Sequence, residues 1–228
     1  MKSMKSQQSG FTLVEIAIVL VIIGLLLGGI LKGQELINSA KVKNLAQDFK
    51  TVPLYIYGYQ DRFKALPGDD SGAFGASNSG HLPSTTLPAP SAADNGNGNG
   101  VINGLWDAMT GESYMFWRHV RAANFASGPT DNTDTVNYPP KNVDGGRIGI
   151  TSNTLVDGPV SGMSGTYAVC SANLLGKFAK QLDTTLDDGN TATGSVRVIA
   201  NATATAQATA LATGTVNDAT TYTVCMTF

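Results

Sequence analysis

Gly10-Phe11-Thr12-Leu13-Val14-Glu15 opens an apolar run that continues as IAIVLVIIGLLLGGIL through residue 31. From Phe11 to Leu31 the only ionisable side chain is Glu15. At 1.5 Å per residue this stretch makes a helix of about 31 Å, enough to cross the hydrocarbon core of a bilayer. The residues ahead of it, MKSMKSQQSG, carry Lys2 and Lys5 and no acid, which holds the N-terminus on the cytoplasmic side. A secretory signal would place a small-residue cleavage site after a shorter apolar region. Here the small residue, Gly10, stands before the run, so hydropathy alone reads as an uncleaved single-span anchor.

Glu15 complicates that reading. A carboxylate inside a membrane span is costly unless it is paired or lies at the interface. It sits four residues after Phe11, on the same helix face and about 6 Å along the axis. A cut after Gly10 would create an α-amine at Phe11, within reach of this carboxylate or a neighbouring subunit's. The alternative is an interfacial Glu hydrated by headgroups.

The string Gly10 to Glu15, after a short basic leader and before an apolar run, resembles the type IV prepilin signal shared by type IV pilins and type II secretion pseudopilins. The resemblance implies cleavage between Gly10 and Phe11 by a prepilin peptidase, followed by N-methylation of Phe11. It also places Glu15 at the position whose carboxylate pairs with the N-terminal amine of an adjacent subunit. An unpaired charge in an apolar filament core is penalised, so that pair selects one axial register. Many pilins carry a kinking Pro about 22 residues into the mature chain; Lys32 stands there in this sequence. Gly24, Gly28, Gly29 and Gly33 offer weaker points for bending or close packing.

Beyond the run, an apolar stripe of Leu45, Phe49, Val52, Ile56, Tyr59 and Phe63 predicts an amphipathic continuation of the helix, with Pro53 a kink or a lost hydrogen bond. Such a helix, ending at Leu66-Pro67-Gly68-Asp69-Asp70, would be about 75 Å long. The expected order is a leader over 1–10, a transmembrane half over 11–31, an amphipathic half over 32–63 and an extracytoplasmic head over 64–228. Within the head, 64–146 reads as loop-rich and 147–228 as sheet. Short helices are expected over Trp106–Phe125 and around Leu174–Leu186. Strands are expected at Arg147–Thr151, Thr166–Cys170, Ser195–Ala200 and Tyr222–Thr227. Asn201–Ala210, alternating polar residues with Ala, reads as an exposed strand or hairpin arm. The L-P-G-D turn and Asp187-Asp188-Gly189-Asn190 before a strand also resemble a pilin subgroup with larger heads. The fold class is therefore α+β, a pilin fold whose long N-terminal helix packs on a head with an antiparallel sheet and a disulfide-bounded loop.

Composition agrees with this division. Of 46 Ile, Leu and Val residues, 14 lie between Leu13 and Leu31, leaving 32 for the 197 residues that follow. Only 14% of residues are charged and the formal net charge is −2, which argues against a clustered basic footprint for nucleic acid. In an exported chain the two cysteines, Cys170 and Cys225, imply a disulfide. Asn95-Gly96-Asn97-Gly98-Asn99-Gly100-Val101 has the donor spacing of the first half of a calcium loop, with Asn95, Asn97, Asn99 and Val101 as ligands. Asn replaces Asp throughout, so the alternative is a Gly/Asn turn series. No other cofactor is expected. No nucleophile-elbow, zincin or P-loop string is present. The pairs Asp69/Asp70 and Asp187/Asp188 adjoin Gly in turns and read as turn caps, so no enzyme activity is expected.

The resemblance implies a subunit that is a single-pass inner-membrane precursor before it joins an extracellular filament, or a periplasmic pseudopilus. Its implied partners are other pilins, the prepilin peptidase, the inner-membrane assembly platform and, before assembly, lipid. A pilus subunit, major or minor and supporting adhesion or motility, stands beside a type II secretion pseudopilin. From another class, the chain could be a membrane-anchored binding module that never polymerises.

Overall fold

A computed structural model describes residues 10–75, 80–83, 89, 91–201 and 207–228. The first element, α1, is a single helix over Leu13–Phe63. The chain divides into two compact units, one reaching to Lys41 and the other Val42–Phe228. The boundary falls inside α1 because Val42 is its first buried residue. In the first unit the helix carries no ionisable side chain from Ile16 to Leu31, every residue of that stretch is exposed, and its most apolar window has no buried residue. It is long and apolar enough to cross a membrane.

In the second unit, Val42, Leu45, Ala46, Phe49, Val52, Ile56 and Tyr59 enter the main core. The helix runs on through Pro53, so the expected interruption is confined to the amide that proline lacks. Four antiparallel strands form a sheet in the order β1-β2-β4-β3: β1 Ile148–Ser152, β2 Tyr167–Leu175, β3 Val196–Ala200 and β4 Thr221–Thr227. The helix α3, Gly176–Leu186, packs on β2, β3 and β4. Strand alternation sorts the side chains. Val169, Val196, Val198, Tyr222 and Val224 face the main core. Cys170, Ile199 and Cys225 face a smaller cluster with Trp106, Val160 and Met163. The architecture is a pilin-like α+β fold.

One expectation needs correction. The helix α2 covers Glu112–Ala122, shorter than Trp106–Phe125, because Gly111 takes φ +81° before it and Asn124 takes φ +63° after it. Trp106 accordingly leaves the helix and seals the second cluster, while Met109 is part-exposed. The expected disulfide joins Cys170 and Cys225 and bounds the segment between them; the two are direct cross-strand partners on β2 and β4, their Cα atoms 4.1 Å apart. Of the Asn201–Ala210 arm, residues 202–206 lie outside the described residues. Ala208 makes one parallel bridge with Val160.

Candidate assembly and processing site

The residues at the proposed cleavage point are accessible: Gly10 and Phe11 are exposed and precede the first helical turn. Glu15 is also exposed, and its carboxylate is already engaged. Its Oε2 accepts the Thr12 backbone N–H at 2.9 Å and the Thr12 hydroxyl at 2.7 Å. In return the Thr12 Oγ1 accepts the Glu15 N–H at 3.3 Å. This reciprocal pattern is a capping box, T-x-x-E, which satisfies amides left open at a helix N-terminus. The signal lies in Thr12-Leu13-Val14-Glu15, and it is separate from the assembly and interfacial roles that the sequence suggests for Glu15. Within one chain the carboxylate therefore has a local partner, adjacent to the position of a new N-terminus. Gly24, Gly28, Gly29 and Gly33 have open space where a Cβ would stand, so the helix can be approached closely there.

The Asn/Gly loop in the head is organised by carboxylates that accept from backbone amides. Asp69 Oδ1 accepts from Gly98 at 2.7 Å and Asn99 at 3.0 Å, and its Oδ2 accepts from Gly100 at 2.7 Å. Glu112 accepts from Asn97 at 2.9 Å and from Asn103 at 2.8 Å. The amide oxygens offered as calcium ligands are spent locally: Asn95 on the Phe74 N–H, Asn97 on the Asn99 N–H and Asn99 on the Val101 N–H. A loop whose amides converge on a carboxylate has the polarity of an anion nest, opposite to that of a cation site. Asn95, Asn97 and Asn99 thus build turns in this loop.

The same network anchors the turn that ends α1. Asp70 Oδ2 accepts from the Tyr59 hydroxyl at 2.6 Å and lies 2.5 Å from His81 Nε2, while its Oδ1 accepts the Gly72 N–H at 2.9 Å. Burial first, then the bond to Asp70, pushes the Tyr59 hydroxyl pKa upward, so Tyr59 stays a donor. His119 is fully buried; its Nδ1 accepts the Gly68 N–H at 3.0 Å and its Nε2 donates to the Asp94 carbonyl at 2.8 Å. Arg118 donates to the Asp94 carboxylate at 2.7 Å, and Asn132 donates to the same oxygen at 3.0 Å. Each acid here holds a turn or an ion pair in place. Asp187 and Asp188 likewise accept backbone amides, from Val196 and Asn190.

These features define a class before they define a protein: a pilin-like α+β chain with an exposed apolar N-terminal helix and a disulfide-stapled antiparallel sheet. Residues 5–31 match the family described as the prokaryotic N-terminal methylation motif, which is typical of type IV prepilins and pseudopilins. That motif implies processing by a prepilin peptidase and a membrane-held precursor. No curated protein and no solved structure matches the chain.

Proposed function

We propose that the chain is a structural subunit of a type IV pilus-like filament, cut between Gly10 and Phe11, methylated on Phe11 and polymerised through its N-terminal helix. The supporting observation is a lone carboxylate, Glu15, at the start of a helix that is otherwise exposed and apolar to Leu31. Before assembly, lipid covers this surface and Thr12 satisfies the carboxylate. In the filament, neighbouring helices replace the lipid, and the Phe11 amine of an adjacent subunit replaces or joins Thr12. Electrostatics then favours the one axial register that brings amine and carboxylate together. The mechanism is packing, with no catalytic turnover. The head faces outward and determines what the filament touches, and its size favours a pilus over a pseudopilus.

Intact mass of the chain extracted from membranes tests the processing step. Loss of residues 1–10 with one methyl group on Phe11 is expected, and an intact Met1 would sink the reading. Glu15→Ala should be cut normally but give few filaments by electron microscopy of sheared surface fractions. Wild-type filament yield from that variant would remove the register role.

A further inference from the structure

The C-terminal end of α3 collects three acids, Asp183, Asp187 and Asp188, with one carboxylate oxygen from each lying within 4.8 Å of the others. Two of them have ordinary turn-building bonds. Asp187 Oδ2 accepts the Val196 N–H at 2.8 Å; Asp188 accepts from the Asn190 N–H at 2.8 Å and the Thr193 hydroxyl at 3.0 Å. Asp183 differs. It is completely buried, and neither of its carboxylate oxygens has a hydrogen-bond partner. A buried carboxylate in that condition is costly, and the cost rises when two further carboxylates share its surroundings.

The helix makes the position worse for a bare anion. The last turn of α3 contains no basic side chain, and the negative end of the helix dipole lies beside the cluster. Among the described residues, none of the three acids takes part in an ion pair. The missing component is positive charge among the three carboxylates. Oxygen donors without imidazole or thiolate select a hard cation. The acids are held on a helix end and a turn, with no symmetric cage. Calcium accepts such irregular sets of six to eight oxygens, whereas magnesium requires a near-octahedral one.

We propose that Asp183, Asp187 and Asp188 bind a calcium ion that fastens the end of α3 to the start of β3. Asp187 already grips the first amide of β3, an edge strand, so the ion reaches the sheet through one side chain. Main-chain carbonyls at the helix end and water complete the shell. The ion neutralises the buried carboxylate and the adjoining negative helix end together. The site lies in the head and is independent of filament assembly.

The test uses the full chain purified in detergent, melted in 10 mM CaCl2 and in EDTA. An affinity typical of extracellular calcium modules would raise the melting midpoint by roughly 3–10 °C. Asp183→Asn should abolish that shift. Asp188→Asn, a change at an exposed side chain, should shrink it, each variant being compared with its own midpoint in EDTA; this variant carries the test if Asp183→Asn does not fold. Three results would overturn the proposal. They are no calcium-dependent shift in the wild type, an equal shift in both variants, or an equal shift with MgCl2 at the same concentration.

Discussion

His119 illustrates how a single buried residue ties part of the head's stability to pH. It accepts one hydrogen bond and donates another, a division of roles that needs the neutral ring. Burial, the dominant cause, lowers its pKa from 6.5 to about 4, even though the Asp94 carbonyl and the Asp70 charge act in the opposite direction. The unfolded chain therefore takes up a proton between pH 6.5 and 4 that the folded chain refuses. Stability from this residue is full above pH 6.5 and is lost as pH falls through that window, by about 3 kcal/mol in all. The loss is read as a difference, because burial raises the pKa of Asp48 and acts in the opposite direction: in urea denaturation of the detergent-solubilised chain, wild type should lose more stability between pH 7.5 and 4.5 than His119→Gln. Thr12 is the other informative residue. The string T-x-x-E was readable as a capping box from sequence alone, whereas the burial of His119 and of Asp183 was not, because both are made by distant segments.

At the scale of elements, the turn after α1 and the sheet are the two joints of the head. Gly68 has φ +91°, and a Cβ there would lie 2.6 Å from the Glu112 carbonyl oxygen. Gly68→Ala should therefore disturb both the turn and the start of α2, lowering stability by more than the ~1 kcal/mol of an ordinary Gly-to-Ala strain, as read from the denaturation midpoint. The second joint is the disulfide. It joins residues 55 apart and should contribute about 4 kcal/mol on the chain-entropy account. Replacing Cys170 and Cys225 together by Ser should lower the denaturation midpoint by a corresponding amount and leave the N-terminal helix content unchanged by circular dichroism. Strand and helix positions were legible from alternation and spacing, to within a few residues. The ends of α2 were not, because two positive-φ residues, Gly111 and Asn124, overrode an apolar pattern that continued past both.

For the whole molecule, the opposed compositions of its two units have one physical explanation. The apolar run cannot bury itself, and the head is poor in aliphatic side chains. Residues 42–63 of α1 give the head an apolar stripe, and the disulfide and the Asp/His/Arg turn network fasten the rest. Removal of residues 1–10 would take away Lys2 and Lys5 and leave 13 basic against 17 acidic side chains. Filaments of the processed chain should then dissociate in detergent, which competes for the apolar helix, and persist in 1 M salt, which screens only exposed charge; sedimentation of sheared filaments distinguishes the two. The sequence alone determined the membrane-length apolar helix and the N-terminal methylation motif, because those depend on local order along one helix. Only the tertiary structure decided that the disulfide staples neighbouring strands. It also showed that the Asn/Gly loop closes on Asp69 and that Asp183 is buried without a partner. Each of these depends on segments tens of residues apart meeting in space, and no local pattern encodes that meeting.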